Sequence, residues 1–139
     1  MTDVIRLLTR AQKLLRAATD DAMRPHGVRI GQNLVLEVLW QDDGLTPGEL
    51  AARMGVTTPT VVNTAARMEA AGLLDRRPDP RDGRLVRLYL TPSARAARAP
   101  ISDARRRIAD HALATLTPTE LRHLTSALEK IVKQMDAGT

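Results

Sequence analysis

The sequence predicts a mainly helical chain that carries one small β-hairpin. Apolar residues recur at three- and four-residue spacing over residues 3–24, 30–41, 92–116 and 117–135, as helices with a buried stripe require. The tripeptide Leu-Thr-Pro occurs at 45, 90 and 116, each time just ahead of such a pattern. One stretch, 73–90, reads instead as two short strands around a turn-rich tip, Pro78-Asp79-Pro80-Arg81-Asp82-Gly83-Arg84.

At 139 residues the chain has the length of one domain and can bury a sizeable core. That core must be aliphatic, because there is no Phe, one Trp (Trp40) and one Tyr (Tyr89). The formal charge is +5, nearly all of it on arginine, which favours bidentate or groove contacts with phosphates and bases. The absence of cysteine excludes disulfides and thiol-based redox sensing. No run approaches the length of a membrane-spanning helix, and Asp3 with mixed charges stands where a signal peptide would be basic and then apolar, so a soluble cytoplasmic protein is expected.

The first helix, 3–24, bears Val4, Leu8, Ala11, Leu15, Ala18 and Ala22, widened by Ile5, Leu7 and Leu14, and Pro25-His26-Gly27 breaks it. Residues 30–41 are apolar on most sides and belong in the middle of the domain. Asp42-Asp43-Gly44 ends that helix. Thr46, Pro47 and Glu49 then form a capping box, with Leu45 and Leu50 placed for a hydrophobic staple. This short helix stops at Gly55, Val56 is expected as a buried corner, and Thr57 caps a second helix over about 58–71. Pro59 falls within its first turn, where a missing amide costs nothing. Val61, Val62, Ala65, Met68 and Ala71 supply its apolar positions, and Thr58, Thr60, Asn63, Thr64 and Arg67 its polar ones. Gly72 ends it. The strand-like runs are Leu73–Arg77 and Leu85–Leu90. Beyond them a long helix over 92–116 should be kinked or interrupted at Pro100. A second capping box, Thr117-Pro118-Thr119-Glu120, opens the last helix, whose Leu121, Leu124, Leu128, Ile131 and Met135 trace a heptad-like seam.

Helix, tight turn, polar helix and basic hairpin in this order read as a winged helix-turn-helix, in which the second helix enters the major groove of DNA. Four blocks then carry a family resemblance: Gly55-Val56-Thr57-Thr58-Pro59-Thr60-Val61, Arg67-Met68-Glu69-Ala70-Ala71-Gly72-Leu73-Leu74, Arg76-Arg77-Pro78-Asp79-Pro80-Arg81-Asp82-Gly83-Arg84, and Leu88-Tyr89-Leu90-Thr91. In order and spacing they resemble the MarR family of bacterial transcription regulators. The resemblance implies homodimers built from N- and C-terminal helices and a wing whose acidic residue and arginine fall on Asp82 and Arg84. It also implies a small, often aromatic or anionic effector. The chain departs from the family pattern at Thr58 and Asn63, where basic residues are common, and at Ala66, where an acidic one is.

The expected architecture is therefore a single domain over 1–139. Its winged helix-turn-helix lobe spans 30–91, and residues 1–25 and 92–139 form a helical dimerisation region. Thr58, Pro59, Thr60, Asn63 and Thr64 face base edges in the major groove; Arg67, Arg76, Arg77 and Arg81 hold phosphates; and Arg84, oriented by Asp82, enters the minor groove. Val4, Leu8, Leu121, Leu124, Leu128 and Ile131 form the dimer interface. Met23, His26, Arg29 and Trp40 are the candidate ligand-pocket residues. The function expected is a homodimeric repressor bound to a pseudo-palindromic operator and modulated by a small molecule. The alternative is a winged-helix module that binds protein. No cofactor, metal site or catalytic group is expected, since His26, His111 and His123 are scattered and neither a phosphate loop nor metal-ligand spacing is present.

Overall fold

The computed structural model describes residues 2–138 and divides into two compact units, one ending at Arg105 and the other beginning at Arg106. In chain order the helices are α1 (Thr2–Met23), α2 (Gln32–Gln41), α3 (Pro47–Met54), α4 (Thr58–Ala70), α5 (Pro92–Ala96), α6 (Arg98–Leu113) and α7 (Pro118–Ala137). A 3-10 turn, Arg24–His26, closes α1. The strands β1 (Leu74–Pro78) and β2 (Val86–Leu90) lie between α4 and α5.

The first unit is built around an aliphatic core. Met23 at the end of α1, Leu36 and Leu39 of α2, Leu50 of α3 and Met68 of α4 are fully enclosed, together with Leu73, Leu74 and Leu88 from the hairpin and its approach. Each fully buried side chain of this size is worth roughly 1.5–3 kcal/mol against exposure, so these few positions dominate the stability of the unit. Both expected capping boxes form: Thr46 accepts from the Glu49 amide while Glu49 accepts from the Thr46 amide, and Thr117 and Glu120 do the same. Thr57 caps α4 by accepting from the Thr60 amide.

The hairpin pairs antiparallel, with Leu74 opposite Leu90, Arg76 opposite Leu88 and Pro78 opposite Val86. A third segment joins it. Leu88 donates its amide to the Leu45 carbonyl at 2.9 Å and accepts the Gly44 amide at 3.1 Å, so the chain entering α3 is stitched to β2. The base of the hairpin is held by Asp43, which accepts the Leu90 amide at 3.0 Å and pairs with Arg95 at 3.1 Å. Trp40 donates its indole NH to the Ala94 carbonyl at 3.0 Å.

Several boundaries and exposures differ from the sequence reading. Helix α2 begins at Gln32, because Gly31 ahead of it adopts φ 90 and leaves Ile30 outside the helix. Val56 is not a buried corner but is partly exposed: its amide closes the turn on the Ala51 carbonyl, while its side chain is left outside the core. On α4, Val61, Ala65 and Met68 turn inward, whereas Val62 faces solvent, as does Ala71, which caps the helix from outside it. Leu85 lies outside β2 in the exposed tip, and Leu73 is buried ahead of β1. The expected long helix is divided at Ala97. Pro100 has no amide with which to bond the Ala96 carbonyl, so the ladder lapses there and resumes when Ile101 bonds to Ala97. Ala94, Ala97 and Ile101 of this stretch are core residues of the first unit.

No described residue beyond Ile101 is buried. The seam on α7 is exposed throughout, from Leu121 to Met135, and on α1 Val4, Ile5, Leu7 and Leu14 are exposed as well.

Gly44 is the glycine the fold depends on most directly. It adopts φ +77, and a Cβ there would stand 2.7 Å from Cε1 of Tyr89. Gly44→Ala is expected to lower unfolding stability by roughly 1–3 kcal/mol in chemical denaturation. A change below about 0.5 kcal/mol would show that the hairpin moves freely against this loop.

Candidate nucleic-acid interface

Helix α4 presents its outer side without a charged residue before Arg67. Thr58, Pro59, Thr60 and Asn63 are exposed, and Thr64 is half-buried. The Thr60 hydroxyl lies 2.9 Å from that of Thr57, so the cap that starts the helix also fixes the first polar group on its surface. Asn63 and Arg67 lie one turn apart on the same face, as i and i+4 residues do.

The wing tip is organised by two aspartates, each closing a turn on backbone amides. Asp79 Oδ1 accepts the amides of Arg81 at 2.7 Å and Asp82 at 2.9 Å. Asp82 Oδ1 accepts the Arg84 amide at 3.1 Å. The Asp82 carboxylate then receives the guanidinium of the same residue, Nε on Oδ1 at 3.1 Å and Nη2 on Oδ2 at 3.2 Å. This fork-on-fork contact holds the Arg84 side chain out into solvent, where it is 91% exposed.

Behind the tip, Arg87 of β2 ties three segments together. Its Nε donates to Asp79 Oδ2 at 2.5 Å, and its Nη1 to the Gly44 carbonyl at 2.8 Å and to Glu49 Oε1 at 3.4 Å. Glu49 is the acid of the capping box that starts α3. The wing tip, the loop before α3 and the first turn of α3 therefore converge on one guanidinium. Sequence reasoning passed over both Asp79 and Arg87. The signals were present: an Asp three residues before a second Asp in a Pro-Gly tip is an Asx-turn pattern, and alternation along β2 sets Arg87 and Tyr89 opposite Val86, Leu88 and Leu90.

The remaining arginines divide. Arg67, Arg76 and Arg81 are exposed. Arg77 stacks over the Tyr89 ring at 4.6 Å from its centre and lies 3.8 Å from Asp75, so it braces the outer face of the hairpin.

The expected ligand-pocket grouping is not assembled as such. Met23 is sealed in the core and offers no surface to a ligand. Trp40 lines a cleft of about 240 Å³ with Glu37, Gln41, Arg98, Ile101, Ser102 and Arg105, and neither His26 nor Arg29 takes part in it. In this cleft Arg105 pairs with Glu37, and Arg98 donates to the Trp40 carbonyl at 3.2 Å. Among the described residues no three His, Asp or Glu side chains gather as metal ligands.

A capped helix pair with a clamped, arginine-tipped hairpin defines a winged helix-turn-helix regulator. Residues 26–85 match the model of the MarR family. The chain is 35% identical to the HTH-type transcriptional repressor Rv2887 of Mycobacterium tuberculosis, over 90% of each protein. It is 25% identical to the HTH-type transcriptional regulator MgrA of Staphylococcus aureus, over 87% of this chain and 81% of that one. Among solved structures, the transcriptional regulator SlyA superposes with a TM-score of 0.80 at 20% identity, covering 98% of this chain and 96% of that one. Reduced AbfR bound to DNA does so at 0.69 and 18% identity, covering 96% and 91%. The chain belongs to the MarR family of transcriptional regulators, which are not enzymes.

The wing aspartates give a pH test. Hydrogen bonds from the Arg87 side chain and from the Arg81 and Asp82 amides hold the Asp79 carboxyl below its usual 3.8, and the Arg84 side chain and amide do the same for Asp82. A depressed carboxyl stabilises the folded wing above its ordinary value, and that contribution is lost as pH falls through the lowered one. Carboxyl-carbon NMR titration should therefore find both midpoints below 3.8. Arg87→Gln should bring Asp79, and not Asp82, back up. Unshifted midpoints in the wild-type protein would contradict the clamp.

Proposed function

We propose that the chain is a homodimeric, sequence-specific DNA-binding repressor of the cytoplasm whose hold on a pseudo-palindromic operator responds to a small molecule. The observation that carries this reading is Arg84, a guanidinium held almost fully exposed at the wing tip by a bidentate carboxylate. It is set up to leave Asp82 for a more negative surface. A narrow A·T-rich minor groove is such a surface.

In this reading α4 lies in the major groove, with Thr58, Pro59, Thr60, Asn63 and Thr64 toward base edges and Arg67, Arg76 and Arg81 on phosphates. Arg77 reaches phosphate only from its seat on Tyr89. Residues 30–91 act as the DNA-binding lobe, and 1–25 and 92–139 as the dimerisation region. Support for the dimer comes from α1 and α7: Val4, Leu121, Leu124, Leu128 and Ile131 are exposed and Leu8 half-exposed, and a helix seam left in water calls for a partner helix. A repressor among the relatives and a DNA-bound neighbour of the same fold support regulator and partner. The two arginines of the Trp40 cleft suit a small anionic effector. Among the described residues no helix is long and apolar enough to cross a membrane.

Arg84→Ala is expected to leave the unfolding midpoint nearly unchanged while weakening binding to the operator and shrinking the preference for A·T pairs at its flanks. Arg84→Lys should rescue only part, since an ammonium is more strongly hydrated. Titrations at fixed salt alongside thermal melts check this, and wild-type affinity in Arg84→Ala would remove the minor-groove role. Asn63→Ala should cost roughly 1–3 kcal/mol at the operator and little on random DNA. An equal loss on both would make Asn63 a backbone contact. Leu124→Asp with Leu128→Asp should give monomers or insoluble chains in sedimentation, and a soluble dimer would exclude this interface.

A further inference from the structure

Helix α4 carries one large apolar side chain on its exposed surface among the described residues, Val62, which is 47% exposed. Its fellow valine, Val61, is buried with Ala65 and Met68, so the apolar stripe that holds α4 to the core is complete without Val62. A β-branched residue is also a poor choice for a solvent-facing helix position, where alanine forms helix better. Of its neighbours at three and four residues, Ala65 is buried, while Thr58, Pro59 and Ala66 lie beside Val62 on the outer side, all uncharged and all exposed. Asn63 is adjacent in sequence on the same outer side. The surface thus sets a small methyl-bearing patch next to a carboxamide, on a helix whose face carries no cation before Arg67.

We propose that Val62 is a specificity-determining residue that reads the C5-methyl group of a thymine in the major groove, flanked by Pro59 and Ala66. The proposal rests on the reading of α4 as the DNA-reading helix and names what that helix selects. An asparagine pairs with adenine N6 and N7, and the thymine of an A·T pair displays its methyl group in the same groove. Val62 and Asn63 together therefore select A·T pairs. This gives the uncharged face its logic: with few arginines to bond guanine, α4 recognises its half-site through methyl contact and one carboxamide. The wing adds the A·T preference of a narrow minor groove outside it.

The test uses the full chain and a duplex enriched by it from a random-sequence pool. Each thymine of that duplex is replaced in turn by deoxyuridine, which removes the methyl group and nothing else. Affinities are measured at fixed salt for the wild type, Val62→Ala and Val62→Thr. In the wild type, one thymine in each half-site should lose roughly fourfold in affinity when its methyl is removed, the size of one buried methyl. In Val62→Ala that penalty should vanish at the same thymine, while Val62→Thr, which keeps a branched methyl, should retain it. The melting midpoint of Val62→Ala should not fall, since alanine favours helix. A flat uridine scan in the wild type, or penalties unchanged in Val62→Ala, overturns the assignment and leaves the regulator reading standing. If the pool yields no enriched duplex, the DNA-binding reading itself fails, and this inference with it.

Discussion

The ion pair between Arg87 and Asp79 is the interaction on which the wing depends. A seven-residue tip between two short strands has no core of its own, so its shape must come from hydrogen bonds. Asp79 supplies them on one side by accepting two tip amides, and Arg87 locks that carboxylate from the other. The same guanidinium reaches the Gly44 carbonyl and the capping glutamate of α3, so tip order and helix start are set by one residue. Because Arg87 is partly buried, its contacts are screened less than those of an arginine on the open surface. Gly44 belongs to the same arrangement. Its left-handed backbone lets the carbonyl meet Arg87 and leaves room for the Tyr89 ring, on which Arg77 rests.

A stiff wing makes physical sense for groove recognition. Backbone order fixed before binding spares the tip the entropy of ordering on DNA, and the turns closed by Asp79 and Asp82 supply that order. In the proposed minor-groove reading the pairing also sets a threshold, since the Arg84 guanidinium would exchange the Asp82 carboxylate only for a stronger concentration of negative charge. The division of arginines follows. Arg77 and Arg87 build the hairpin, Arg84 is presented by it, and Arg67, Arg76 and Arg81 stay on the surface. A count of positive charge cannot separate these roles.

Much of this was legible in the sequence because short-range chemistry decided it. The capping threonines at 46, 57 and 117 marked helix starts to within a residue, and Asp82 beside Arg84 marked the wing. What escaped were features set by distant partners. Val62 and Val61 are indistinguishable by type, and only the packing of Val61 into the core separates them. The role of Arg87 is not marked locally, since its partners lie eight, thirty-eight and forty-three positions away. Nothing local shows that the chain folds back over Met23 and seals it from any ligand. The α7 seam was read correctly as apolar, yet a pattern alone could not say whether it would be covered. In the described chain it is exposed, which moves the question of its partner from the fold to the assembly.

The claim at the centre is that Arg87 acts on DNA through the wing by fixing the base from which Arg84 is presented. A double-mutant cycle on operator affinity tests it most directly, with Arg87→Gln, Arg84→Ala and the pair measured at one salt concentration. The account predicts strong coupling: Arg87→Gln should weaken binding by roughly tenfold when Arg84 is present and by less than about twofold when it is absent. Additive losses would contradict it, because they would mean that Arg87 contributes to binding by a route that does not pass through the wing tip.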